Sequence, residues 1–86
     1  MHAAEEALRN GARDVYGWSN GPGDVYGEHE HDFRKVLVCV RGSIDFHLAT
    51  GGVIRLGAGE RMVLEPHTRH SAVVGPEGCE CVEGKL

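Results

Sequence analysis

Two features are missing from this sequence, and each absence excludes a class of function. No apolar run approaches the roughly 20 residues of a membrane span, and the opening segment MHAAEEALRNGARD lacks the apolar core of a signal peptide. A basic excess is also missing, because 9 Lys and Arg stand against 13 Asp and Glu, giving a formal net charge of −4. Binding to nucleic acid or to an anionic membrane needs a concentrated basic face, so we expect neither partner. We predict a cytoplasmic protein.

Cysteine is scarce as well, and its odd count of three argues against a disulfide framework. Cys79 and Cys81 are two residues apart, so both thiols would lie on the same face of a strand. Such a pair could bind a soft metal, but small apolar side chains commonly pack in this position. We favour buried, reduced thiols at both positions and at Cys39.

Turn-forming residues, in contrast, are abundant, with 13 Gly and 3 Pro between short β-branched segments. Strands of about five residues at this regular spacing predict an all-β sandwich or barrel. Residues 3–9 are good helix formers and Asn10-Gly11 offers a stop, so we predict an N-terminal arm over 1–14 and a single domain over 15–86. A chain this short buries only a little over ~60% of the surface that it exposes when unfolded, so we expect its stability to be marginal or shared with a partner subunit, such as a homodimer would provide.

The segment KVLVCV (35–40) followed by Arg41-Gly42 indicates a strand that closes in a hairpin. The next segment, SIDFHLAT, alternates between one apolar and one polar face. His47 falls on the polar face, so we expect it to face water without a functional role.

His29 and His31 are one residue apart in GDVYGEHEHDF (23–33). On a strand, positions i and i+2 project to the same side, so the two imidazoles would converge while the flanking carboxylates point away. Two histidines on an exposed strand are the simpler explanation of this pattern. A metal site would need a third ligand from elsewhere in the chain, and EPHTRHSAVV offers His67 and His70.

The spacing around these histidines is more specific than the pair alone. The first segment reads G(X)5HXH(X)3K(X)6G from Gly23 to Gly42, and the second reads G(X)5EPH(X)2H from Gly59 to His70. These segments resemble the two sequence motifs of the cupin family, and the resemblance covers about residues 15–83. It implies an antiparallel jelly-roll β-barrel, a dimer, metal ligands at His29, His31 and His70, and a hairpin turn at Gly42.

Lys35 departs from the cupin pattern, in which this position is a metal-binding Glu. Two unit charges ~4 Å apart interact by about 4 kcal/mol at an effective dielectric near 20, and a dication would double this as repulsion of an ammonium. Three outcomes follow: Lys35 is neutral and could act as a general base, it turns toward a carboxylate such as Glu65 or Glu80, or the site holds no metal. Three imidazoles alone would suit Zn, Fe, Ni, Mn or Cu.

Three further residues near the motifs are ambiguous. His67 replaces the usual Gly and could be a partner of the ligands, a rim residue or a solvated side chain. Glu65 could be a counter-charge to Lys35 at the barrel mouth. Tyr26 and Lys35 are the two catalytic candidates. Tyr26 is three residues before His29, an odd offset, so a regular strand would turn its side chain away from the histidine face unless a bulge occurs near Gly27.

Two functional hypotheses remain. The first is a small cupin that binds a divalent transition metal through three histidines and offers an open position to a small organic molecule, with oxidative or isomerising chemistry. The alternative is a non-catalytic binding or sensing barrel, either without metal and with Lys35 binding an anionic ligand, or loaded with metal but without turnover. A purely structural dimer with a vestigial site is also left open.

Overall fold

The computed structural model describes residues 2–86 and contains one helix and six strands. The helix α1 spans His2–Arg9. The strands are β1 (Arg13–Asn20), β2 (Val25–His29), β3 (Lys35–Leu48), β4 (Val53–Gly57), β5 (Arg61–Leu64) and β6 (His70–Lys85). Every pairing between these strands is antiparallel. The predicted all-β jelly-roll barrel is therefore confirmed.

Two long strands, β3 and β6, form the centre of the sheet. They pair along their whole length, from Lys35 opposite Lys85 to Leu48 opposite His70. One end of this pair is flanked by β1 and β5, and the other end by β2 and β4. The sheet therefore folds into two four-stranded halves, and the main apolar core includes Leu37, Ile44 and Phe46 of β3.

Gly42 does not close a hairpin, which corrects the expectation from the sequence. It lies inside β3, where the pairing with β6 is irregular both between Cys39 and Arg41 and between Gly42 and Ile44. Its φ is 76°, and a Cβ at this position would lie 2.0 Å from the carbonyl oxygen of Gly78. Glycine is needed here because the two central strands approach each other closely where β3 is bulged.

The N-terminal helix covers the outer face of the sheet. Leu8 packs with Val36 and Val82 in a second, smaller apolar cluster. The helix ends as predicted near Asn10-Gly11, where the amides of Gly11 and Ala12 both donate to the carbonyl of Leu8. Residue 1 of the predicted arm lies outside the described residues, and the division into arm and domain stays a prediction.

The three cysteines are free and buried, as expected. Cys39 and Cys81 are opposite each other on β3 and β6. Burial raises the pKa of the Cys79 thiol, so the protonated form is favoured. His47 is exposed on β3, which confirms the outward face predicted for it. Among the described residues, no helix is both long and apolar enough to cross a membrane.

Candidate metal centre

The three candidate histidines lie together at one end of the barrel. His29 is the last residue of β2, and its backbone is directly opposite His70, the first residue of β6. His31 follows two residues after β2 has ended, yet its ring lies 5.0 Å from that of His29 and 5.7 Å from that of His70. One ligand nitrogen from each ring falls within 4.8 Å of the others. The structure thus brings together the three imidazoles that the two motifs single out.

Two of these rings are oriented by the same local hydrogen bond. His29 Nδ1 lies 2.7 Å from the carbonyl oxygen of Gly27, and His70 Nδ1 lies 2.7 Å from that of Thr68. A carbonyl can only accept, so each Nδ1 must carry the hydrogen, and in the neutral ring the lone pair is then on Nε2. This arrangement is typical of metal-ligating histidines, whose second nitrogen is held by a backbone carbonyl.

Two of the ring nitrogens are left without a partner. His31 Nε2 and His70 Nε2 are buried and have no hydrogen bond within the described part of the chain. An unpaired buried polar atom costs roughly 1–3 kcal/mol, so native structures rarely retain one without a reason. A metal ion bound to both nitrogens would satisfy them, and the donor set therefore fits a transition metal.

Two of the imidazoles, those of His31 and His70, are also biased toward the neutral form that binds metals. The pKa of His31 is lowered, mainly by burial and to a smaller extent by the charge of Lys35. Burial likewise lowers the pKa of His70, against an opposing contribution from its hydrogen bond to Thr68. Both side chains therefore offer lone pairs near neutral pH without first losing a proton.

Lys35 forms an ion pair, but with neither of the carboxylates considered in the sequence. Glu65 lies on the surface, where its Oε2 is 3.0 Å from Arg34 Nε, and Glu80 pairs with Arg41. Lys35 Nζ instead lies 3.5 Å from Glu83 Oε1, and both residues are buried, at 7% and 8% exposed. The ion pair reduces the expected conflict between a lone ammonium and a bound dication.

Sequence reasoning missed Glu83, although a signal for it was present. Cys79 and Cys81 face the core, and Glu83 continues the same period-2 series along β6, whereas Glu80 falls on the other face. Trp18 Nε1 donates to the same oxygen of Glu83 at 2.8 Å. Tyr16 of β1 is paired with Glu83 of β6. The pKa of Tyr16 is raised to about 12, mainly by burial and to a smaller extent by the Glu83 carboxylate. Glu83 is therefore the acceptor around which this wall of the barrel is organised.

The histidines open into a cavity of about 320 Å³. Its walls combine the three imidazoles with aromatic and aliphatic side chains and the ion pair. They are Tyr16, Trp18, Tyr26, His29, His31, Lys35, Ile44, Phe46, His70, Ala72 and Glu83.

Tyr26 lines this cavity, which corrects the expectation that it turns away from the histidines. The pairing of β2 with β6 is irregular between Tyr26 and His29, as a bulge near Gly27 would produce, and this breaks the strict alternation of side chains. Its hydroxyl donates to Asn20 Oδ1. Tyr26 therefore lies where a ligand could contact it, and its catalytic role stays a prediction.

The structure places His67 outside the cavity. Its φ is 61°, the left-handed conformation that explains why glycine is usual at this position of the cupin motif. Its side chain is 69% exposed, and Nδ1 lies 3.1 Å from Glu30 Oε2. Arg69 also pairs with Glu30, and with Glu28. These contacts tie the loop before His70 to Glu28 of β2 and to Glu30 just after it, at the rim of the site.

The comparisons with known proteins agree with this geometry. The sequence model of the AraC-like ligand binding domain family matches residues 14–82, so the chain belongs to this family. It is a cupin, as the two motifs predicted. No curated protein matches the sequence.

Solved structures show the same fold. Protein NMB1881 from Neisseria meningitidis is 29% identical with a TM-score of 0.73, over 84% of this chain and 71% of that one. A protein with a double-stranded β-helix domain from Klebsiella pneumoniae is 27% identical with a TM-score of 0.72, over 84% and 64%. An RmlC-like cupin from Shewanella frigidimarina is 24% identical with a TM-score of 0.71, over 83% and 62%. The chain thus spans less than two thirds of the length of the last two proteins.

Proposed function

We propose that this protein is a cupin in which His29, His31 and His70 hold a divalent transition metal and leave coordination positions open to a small organic ligand in the cavity. The observation that supports this most directly is the pair of buried Nε2 atoms, on His31 and His70, that have no hydrogen-bond partner within residues 2–86. Three imidazoles suit Zn, Fe, Ni or Cu better than they suit Mg or Ca.

The ion pair of Lys35 with Glu83 makes such a site electrostatically reasonable. At 3.5 Å and an effective dielectric near 20, the two charges attract by about 5 kcal/mol. The carboxylate that the cupin motif normally supplies on β3 is thus present on β6, beside the lysine that replaces it. The net charge of the pair is zero, so its repulsion of a cation at the histidines is greatly reduced.

Each part of the cavity has a role in this proposal. A bound metal would act as a Lewis acid or as a redox centre toward a ligand at its open positions. The histidines hold the ion, with two of them oriented by backbone carbonyls. Trp18 and Phe46 line the cavity and give it an apolar wall. Tyr26 offers a hydroxyl that could hold or pass a proton.

A second candidate function is a binding or sensing module without turnover. The description of the matched family, a ligand binding domain, favours this reading. In this case Lys35 would bind an anionic ligand in the same cavity, and metal would be unnecessary. The homodimer and the cytoplasmic location expected from the sequence remain proposals as well.

Elemental analysis of protein purified without a histidine tag tests the metal site. We expect about one equivalent of a transition metal after loading, and its loss in His70→Ala. His47→Ala is the matched control, because His47 is exposed on β3 away from the cavity and should leave the metal content unchanged. Wild-type protein that stays metal-free after loading, or His70→Ala that keeps its metal, would contradict the proposal.

A further inference from the structure

Lys35 places a cationic group in the wall of the cavity. Its side chain is 9% exposed, and it lines the same cavity as the three histidines. An ammonium has three hydrogens to donate, and only the one toward Glu83 has a protein acceptor among the described residues. At 3.5 Å this contact is longer than the roughly 2.7–2.9 Å of a tight charge-assisted hydrogen bond. Lys35 therefore retains donors for a further acceptor.

Glu83 offers less to a ligand than Lys35 does. Its Oε1 already accepts from Trp18 Nε1 at 2.8 Å and from Lys35 Nζ. A ligand amine would have to compete with a neighbouring ammonium for this carboxylate and would be repelled by it. A ligand anion is repelled by Glu83 in the same way, but it can accept hydrogen bonds from the unused donors of Lys35, whereas Glu83 Oε1 already accepts from two groups. The pair therefore favours an anionic ligand over a cationic one.

The other cations near the mouth are already engaged on the surface. Arg34 pairs with Glu65, and Arg69 pairs with Glu28 and Glu30. Among the side chains that line the cavity in the described part of the chain, Lys35 alone bears a fixed positive charge.

The size and walls of the cavity limit the rest of the ligand. A volume of about 320 Å³ holds about ten non-hydrogen atoms if each occupies the ~30 Å³ of a liquid water. Aromatic and aliphatic side chains form the wall away from the ion pair, including Trp18, Phe46 and Ala72. An apolar body of modest size is stabilised by such a wall, while its charged end is held elsewhere.

We propose that the ligand of this cavity is a small carboxylic acid with an apolar body, and that Lys35 recognises its carboxylate. This inference rests on the proposed function in that the carboxylate is held between Lys35 and the metal at the histidines. It assigns Lys35 a recognition role, in contrast to the general-base role considered from the sequence.

Benzoate and its neutral isostere benzamide test this proposal, because they match in size and differ in charge. Trp18 is the one tryptophan of the chain and donates to Glu83, so its fluorescence reports binding in the cavity. We expect wild-type protein, with and without metal, to bind benzoate more tightly than benzamide. Lys35→Met should weaken benzoate about tenfold or more and change benzamide little. Lys85→Met is the matched control, because Lys85 pairs with Asp14 and does not line the cavity.

A second variant covers the possibility that Lys35→Met unfolds, since it leaves Glu83 buried without its cation. Lys35→Met/Glu83→Gln replaces both charges and should show the same loss of benzoate binding. Equal affinities for the two probes in metal-free wild type, or benzoate binding that is unchanged in either variant, would overturn the proposal. Failure of the metal site is recognised separately, by elemental analysis, and leaves the metal-free comparison of the probes intact.

Discussion

Replacing Glu83 by Gln should destabilise the protein severely, because it leaves Lys35 as an uncompensated buried ammonium. The two side chains are about nine-tenths buried, and their charged atoms are 3.5 Å apart. The attraction between them is about 5 kcal/mol at an effective dielectric near 20. Breaking a buried pair by removing one partner typically costs roughly 3–5 kcal/mol. The amide oxygen of Gln still accepts a hydrogen bond, so we expect about 3 kcal/mol.

This loss is large compared with the total stability of a small domain, which is typically about 5–15 kcal/mol. For a domain of this size, it corresponds to a fall in Tm on the order of 10–20 °C. Urea unfolding of the metal-free protein, followed by circular dichroism and by Trp18 fluorescence, measures it directly. Circular dichroism is needed as well, because Trp18 donates to Glu83 and its emission will change in the variant.

Two comparisons make the test specific. Lys35→Met/Glu83→Gln removes both charges and should recover stability to within about 1 kcal/mol of wild type. Glu65→Gln removes the carboxylate of the exposed pair with Arg34 and should cost less than about 1 kcal/mol. The reasoning is refuted if Glu83→Gln costs no more than Glu65→Gln, or if the double variant is as unstable as the single one.

Three further predictions concern the backbone and the histidines. Gly42→Ala should lower the free energy of unfolding in urea by at least about 2 kcal/mol, because the new Cβ would meet the Gly78 carbonyl. Gly11→Ala is the control and should cost far less, because the space around Gly11 is open. Equal losses in the two variants would contradict this prediction. His67→Gly should keep its full metal content. Its free energy of unfolding should equal that of wild type or be higher by up to about 1 kcal/mol, because glycine adopts the positive φ of this position without strain. Loss of metal in this variant would instead show that His67 has a role at the site. The metal-free protein should lose stability as pH falls from about 7.5 to 5. Unfolded histidines titrate near 6.5, whereas burial lowers the pKa of His31 and His70 in the folded protein, so the unfolded state binds more protons in this window. A urea midpoint that stays constant over this pH range would refute the prediction.

Much of the site was predictable because its signals are local. The spacing of His29 and His31, with the second motif ending at His70, predicted which imidazoles would meet. The carbonyl groups two residues before His29 and His70 orient the two rings, so ring orientation also depends on residues close in sequence. Period-2 alternation placed His47 outside, and it would have placed Glu83 inside if applied to the last strand.

The incorrect expectations concern places where the alternation is interrupted. Tyr26 has the wrong parity to share a face with His29, yet the irregular pairing between them brings it into the cavity. Gly42 has the composition of a hairpin turn, yet β3 continues through it because a bulge absorbs the change of direction. A bulge adds one residue to a strand, so the side chains beyond it change faces. Glycine is found both at bulges and in turns, so its presence in the sequence does not distinguish the two.

The all-β character, the end of α1 and the two histidine motifs were predictable from the sequence, since each depends on residues close together in the chain. The pairing of Lys35 with Glu83, 48 residues away, in place of Glu65 or Glu80, depends instead on the folded barrel. The physical reason is that alternation fixes the face on which a side chain lies, whereas its neighbours on that face depend on strand order, register and bulges. These are set by the packing of the whole barrel.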